Sequence, residues 1–143
     1  MVDWLELALR CVEAVERRCS GEARAAFRTR ARQIASDLYY VGAAYVVAVL
    51  AARSSEGDIF RGDDLDAAVK RICESDKSRE EKGYALYGVC LREGLKTLGI
   101  SVDGLSTTLR QLKRQAGLVE ARLYEYVDWL KKLAEAKFEK EKE

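Results

Sequence analysis

The chain contains no histidine and no proline. Without histidine, zinc sites of the usual His/Cys type, histidine triads and histidine acid/base chemistry are excluded. Without proline, nothing removes a backbone donor inside a helix. Abundant Ala, Leu, Arg, Lys and Glu then favour long helices. The sequence also lacks a Cys-x-x-Cys pair: Cys11, Cys19, Cys73 and Cys90 are scattered along it. They read as four buried free thiols of a reducing compartment, with a disulfide or a metal cluster as the alternative. No glycine-rich phosphate loop, dinucleotide fingerprint or serine-nucleophile motif occurs. The uncharged run Leu38–Ala52 has 15 residues, too short for a membrane span. Met1-Val2-Asp3-Trp4 lacks the basic-then-apolar pattern of a signal peptide. A cytoplasmic protein with no membrane contact is therefore expected, and no cofactor.

What is present is one domain's worth of chain: 143 residues, 48% hydrophobic and 34% charged. A chain this long buries roughly 68% of its unfolded surface. Apolar residues recur at helical steps of three and four almost throughout. Leu5, Ala8, Val12, Val15 and Cys19 form a first stripe, ended by Ser20-Gly21. Phe27, Ala31, Ile34, Leu38, Val41, Tyr45, Ala48 and Ala52 form a second, on the longest helix. Its half from Leu38 to Ala52 is apolar all round, which places it in the middle of the fold. A bend is expected near Tyr39 to Gly42, where glycine costs helix stability. Leu65, Val69 and Ile72 mark a short helix, and Tyr84, Tyr87, Leu91 and Leu98 a longer one. Leu105, Leu109, Leu112 and Ala116 mark another, and Val119, Leu123, Tyr126, Leu130 and Leu133 the last. No useful segment alternates with period two. The expected fold is all-α: a single compact bundle of five to seven helices over residues 1–137, with 138–143 a frayed, charged tail.

A net charge of +1 conceals blocks. Residues 17–53 carry seven arginines against Glu22 and Asp37, a balance of +5, while residues 54–82 come to −3. Arg24, Arg28 and Arg32 stand four apart, roughly 6 Å per step along one helix flank. Like charges at this spacing are mildly destabilising. Arginine's planar, multi-donor head also suits phosphate. The candidate nucleic-acid contacts are therefore Arg24, Arg28 and Arg32, with Arg17, Arg18 and Arg30 in the same block. A weaker second set is Arg110, Lys113 and Arg114, with Arg92 and Lys96 on the helix before. The alternative for all of these is an ordinary solvated helix flank. Tyr39 and Tyr40 follow the stripe and read as buried at a packed helix crossing, with base stacking as the other possibility. Asp58, Asp63, Asp64 and Asp66 form an acidic loop cluster that could attract a divalent cation but lacks calcium-loop spacing, and helix capping explains Asp63 or Asp64 without a metal. Asp37 is the carboxylate expected to be partly buried, paired with an arginine. No two carboxylates share an apolar helix face, so a noncatalytic protein is expected.

Two stretches carry a family resemblance. Tyr126-Val-Asp-Trp129-Leu-Lys-Lys-Leu-Ala-Glu-Ala136 resembles the ending of the small subunit of the type III-B (Cmr) CRISPR effector complex. The run from Arg30 and Arg32 through Asp37, Leu38 and Gly42 to Leu50 is similar to that family's basic residues followed by a leucine, a glycine and an apolar helix. Where the family has proline after the leucine, this chain has Tyr39. The resemblance implies a noncatalytic structural subunit of an RNA-guided interference complex. Its partners would be guide RNA, target RNA and other subunits, and Arg30 and Arg32 would be the contacts. An acidic 54–82 face meeting a basic 17–53 face of the next copy would give head-to-tail self-association. The other reading is a protein–protein adaptor with no nucleic-acid role, which requires an exposed apolar patch near Trp129 and Phe138.

Overall fold

A computed structural model describes residues 1–142. These residues form seven helices: α1 (Trp4–Arg18), α2 (Gly21–Arg53), α3 (Glu56–Ile59), α4 (Leu65–Glu74), α5 (Arg79–Thr97), α6 (Leu105–Arg114) and α7 (Leu118–Lys137). The first five begin behind a Ser or Asp whose side chain accepts a backbone N–H of the first turn: Asp3, Ser20, Ser55, Asp64 and Ser78. In a chain without proline, such caps and a few glycines do the punctuating. The all-α expectation holds. α2 lies along α5 and α7, α1 packs on α7 and α4, and α4 on α5. One core cluster runs through all of them, with Phe27, Ile34, Leu38, Tyr87, Leu91, Leu123 and Tyr126 at its centre.

α5 is closely enclosed: three of its glycines receive neighbours that an added methyl would crowd. A methyl at Gly83 would stand 3.0 Å from the backbone of Ala26 in α2. At Gly88 it would meet Ile59 Cδ1 at 2.4 Å, and at Gly94 the ring of Tyr126 at 2.6 Å. That ring is fixed, since the Tyr126 hydroxyl donates to the Cys90 carbonyl at 2.6 Å. Gly→Ala inside an exposed helix stabilises by about 1 kcal/mol. At Gly94 the sign inverts: Gly94→Ala is expected to destabilise by about 1–3 kcal/mol, the cost of overpacking. A melting temperature at or above the parent's would refute this close approach.

α2 bends where the sequence placed a bend. Gly42 has φ +82°, in the left-handed region that favours glycine. The carboxylate of Glu120, in the first turn of α7, accepts the Ala43 N–H at 3.2 Å and the Gly117 N–H at 3.0 Å. One side chain thus satisfies a donor beside the bend and a donor at the start of α7. The bend shifts the phase of the buried face. Phe27, Ala31, Ile34 and Leu38 are buried before it; after it the buried set is Ala43, Val46, Val47, Leu50 and Ala51. The uninterrupted stripe through Val41, Tyr45 and Ala52 is therefore corrected, because all three are exposed. So is the reading of Tyr39 and Tyr40 as buried: they are 68% and 78% exposed. By length and composition α2 could cross a bilayer, against the expectation from its uncharged run alone. It is nonetheless bent at Gly42 and packed on α5 and α7, as a core helix is.

Two further expectations are corrected. Cys19, the residue that caps α1, is disulfide-bonded to Cys73 in the last turn of α4, so two of the thiols are not free. Cys11 and Cys90 are free and buried. Burial pushes the Cys90 thiol and the Tyr87 and Tyr126 hydroxyls well above their ordinary values. A thiol held protonated in this way is inert as a nucleophile. The tail does not fray at its start. Phe138 is buried edge-on against Phe27, with ring centres 6.2 Å apart, and Glu141 pairs with Arg79 at 3.1 Å. Residue 143 lies outside the described residues.

Candidate nucleic-acid interface

The arginine block divides into cations engaged within the chain and cations facing solvent. Arg17 and Arg18, at the end of α1, both reach Asp66 of α4, at 3.2 and 2.6 Å. The hydrogen bonds from Arg18 and Arg17 hold the Asp66 carboxyl below its usual range, and the same contact raises the Arg18 guanidinium. Arg24 is half-buried and donates to the Glu16 carbonyl. Arg30 lies over the Tyr84 ring, its guanidinium carbon 4.4 Å from the centroid, and donates to that hydroxyl. Arg32 is half-exposed and paired with Glu135 of α7 at 3.1 Å. Arg28 is half-buried and forms no ion pair among the described residues. The three-arginine flank therefore exists, but Arg24 leans into the fold and only Arg32 stands well out.

The second basic set is differently placed. Arg110, Lys113 and Arg114 are all exposed on α6, and no carboxylate among the described residues pairs with them. Their helix buries only Thr108 and Leu112. Lys96 is exposed as well. Arg92 is not available: it is 3% exposed and donates to the carbonyls of Ile59 and Asp63 at 2.8 and 2.9 Å. It is a structural cation, which corrects its place in the basic set.

Three carboxylates of the acidic block, Asp58, Asp63 and Asp66, are paired within the chain. Asp58 faces Lys77 at 3.1 Å and Arg71 at 3.8 Å; Asp63 faces Arg71 at 2.9 Å and Arg92 at 3.6 Å. Burial works against the charged form of Asp63, but the hydrogen bond and charge of Arg71 outweigh it, and its carboxyl sits below the usual range. With Asp66 on Arg17 and Arg18, the complementary blocks meet inside one chain. Asp37 is half-buried but pairs with no arginine among the described residues.

Exposed aromatic surface lies elsewhere than the adaptor reading requires. Trp129 is half-buried, its indole N–H directed at Glu125 at 3.4 Å, and Phe138 is in the core. The exposed rings gather beside the α2 bend instead. Tyr39 stands edge-to-face with Tyr40 at 5.2 Å and lies 6.1 Å from Tyr124 of α7. The apolar composition of this half of α2 on every side hid the cluster in the sequence: Tyr39 and Tyr40 precede the bend and lie off the buried Ile34–Leu38 face.

No protein-family model and no curated protein matches the chain. Solved structures do. A chain of the type III-B Cmr-beta complex bound to non-cognate target RNA, determined by cryo-EM, superposes with a TM-score of 0.76. The match covers 98% of this chain and 99% of that one, at 23% identity. The fold is that of a Cmr-beta chain. A Cmr-beta complex bound to cognate target RNA and AMPPnP gives the same score and identity, over 96% and 97% of the two chains. The likeness to the Cmr-beta chains therefore runs from end to end rather than through one helical hairpin.

Proposed function

We propose that this protein is the noncatalytic small subunit of a type III-B CRISPR effector complex, and that it holds the backbone of guide or target RNA against that complex. The end-to-end likeness to a chain of target-RNA-bound Cmr-beta complexes carries the reading. The surface supports it. Arg110, Lys113 and Arg114 present three cations on one helix with no ion pair among the described residues, and Arg32 adds a guanidinium held by a partly exposed pair with Glu135. Such a pair is worth about 0–1 kcal/mol, so a phosphate can displace Glu135. The contact is to backbone, hence independent of sequence and steep in salt. Its place is the cytoplasm, where a Cys19–Cys73 bridge is unusual except in hyperthermophiles.

The test reverses the free cations. Arg32→Glu, Arg110→Glu, Lys113→Glu and Arg114→Glu together should weaken binding to single-stranded RNA by more than about tenfold. Each lost phosphate contact should also lower the salt slope by roughly 0.7. Thermal unfolding should stay near the parent's, because exposed substitutions shift stability by about 0.5 kcal/mol or less. Parent-like affinity and slope in the variant, or no binding by the parent at about 50 mM salt, would overturn the reading.

A further inference from the structure

Four of the seven tyrosines are outside the core, although rings of this size normally bury. Three of them, Tyr40, Tyr39 and Tyr124, adjoin one another in a row across α2 and α7. The row is built by the fold rather than left over from it. Gly42 breaks the helix two residues after Tyr40, and Glu120 ties that bend to the first turn of α7, four residues before Tyr124. Tyr40 also continues the arginine flank: Arg28, Arg32, Ser36 and Tyr40 stand four apart on α2. Arg32 to Tyr40 is therefore about 12 Å along the helix axis. A strand lying on this flank would meet guanidinium groups first and exposed rings next. That sequence of a cationic track and aromatic faces is what single-stranded nucleic acid requires.

We propose that Tyr39, Tyr40 and Tyr124 form a stacking platform for unpaired nucleobases of an RNA strand whose phosphates run along the Arg28–Arg32 flank. The inference rests on the RNA-binding reading above and adds a base contact to a backbone contact. Charge complementarity selects this occupant. Exposed Arg32 on the same flank of α2 and exposed Arg122 two residues before Tyr124 on α7 call for a polyanion, whereas a second copy of the chain brings the same positive flank and would be repelled.

The experiment compares two probes of equal charge, a uridine oligonucleotide and an abasic oligonucleotide of the same length. The parent should bind the uridine strand about tenfold more tightly than the abasic one, equivalent to about 1.4 kcal/mol. Tyr39→Ala with Tyr40→Ala should abolish that preference while leaving abasic binding and the melting temperature unchanged. Tyr39→Phe with Tyr40→Phe should retain it, since stacking needs the ring and not the hydroxyl. The charge-reversed variant should lose affinity for both probes alike. An unchanged preference in the alanine variant overturns the platform while the backbone reading stands. Loss of self-association in that variant, with RNA binding intact, overturns it in favour of a second copy. Binding of neither probe by the parent overturns both.

Discussion

Arg92→Met is expected to lower the free energy of unfolding by about 3–5 kcal/mol, the cost of leaving buried polar partners without their donor. The arginine sits on the enclosed helix α5 yet carries a full charge, 3% exposed. Its Nη1 and Nη2 donate to the carbonyls of Ile59 and Asp63, and its Nε donates to Glu93 at 3.1 Å. Methionine fills much of the same space but supplies no donors. Two carbonyls at the α3–α4 connection are then left without partners, and each orphaned buried polar group costs about 1–3 kcal/mol. Arg71 still holds Asp63 at 2.9 Å, so the loss should arise from the backbone contacts rather than from that carboxylate. Urea denaturation at neutral pH measures the difference. Arg110→Met, on the exposed face of α6, is the control and should move the midpoint little. A loss below about 1 kcal/mol for Arg92→Met would mean that the carbonyls find water, and the pinning role would be withdrawn.

Reduction of the Cys19–Cys73 bridge should cost a similar amount. The two cysteines are 54 positions apart, and the segment between them contains all of α2 and the Gly42 bend. Closing a loop of that length constrains the unfolded chain by about 4 kcal/mol in the chain-entropy account. For a domain of this size the melting temperature should fall by roughly 10 °C. Cys19→Ser with Cys73→Ser should reproduce the drop without reductant, and adding reductant to that variant should change nothing further. Thiol counting supplies an independent check. The unreduced protein, unfolded in denaturant, should titrate two thiols, those of Cys11 and Cys90. Four thiols under that condition would show that no bridge forms.

The fold class was legible because helical periodicity is local. The stripes at Leu105, Leu109 and Leu112 and at Val119, Leu123, Tyr126 and Leu130 survive as α6 and α7 with little change. The bend was legible for the same reason, since one glycine in a helical run marks it. The consequence of the bend was not. A left-handed residue at position 42 resets the angle at which every later side chain leaves α2, and only the packing of α5 and α7 fixes the new angle.

The candidate site divides in the same way. By itself the sequence determined an all-α chain, the position of its bend and a one-signed arginine block, because composition and spacing are properties of neighbours along the chain. Tertiary structure alone decided which of those charges remain free. Asp66 is 48 positions from Arg18, Glu135 is remote from Arg32, and Arg92 reaches carbonyls some 30 positions back. It also decided that Cys19 meets Cys73 and that four tyrosines stand outside. Pairing and exposure depend on which helices come together in space, and no local pattern encodes that distance.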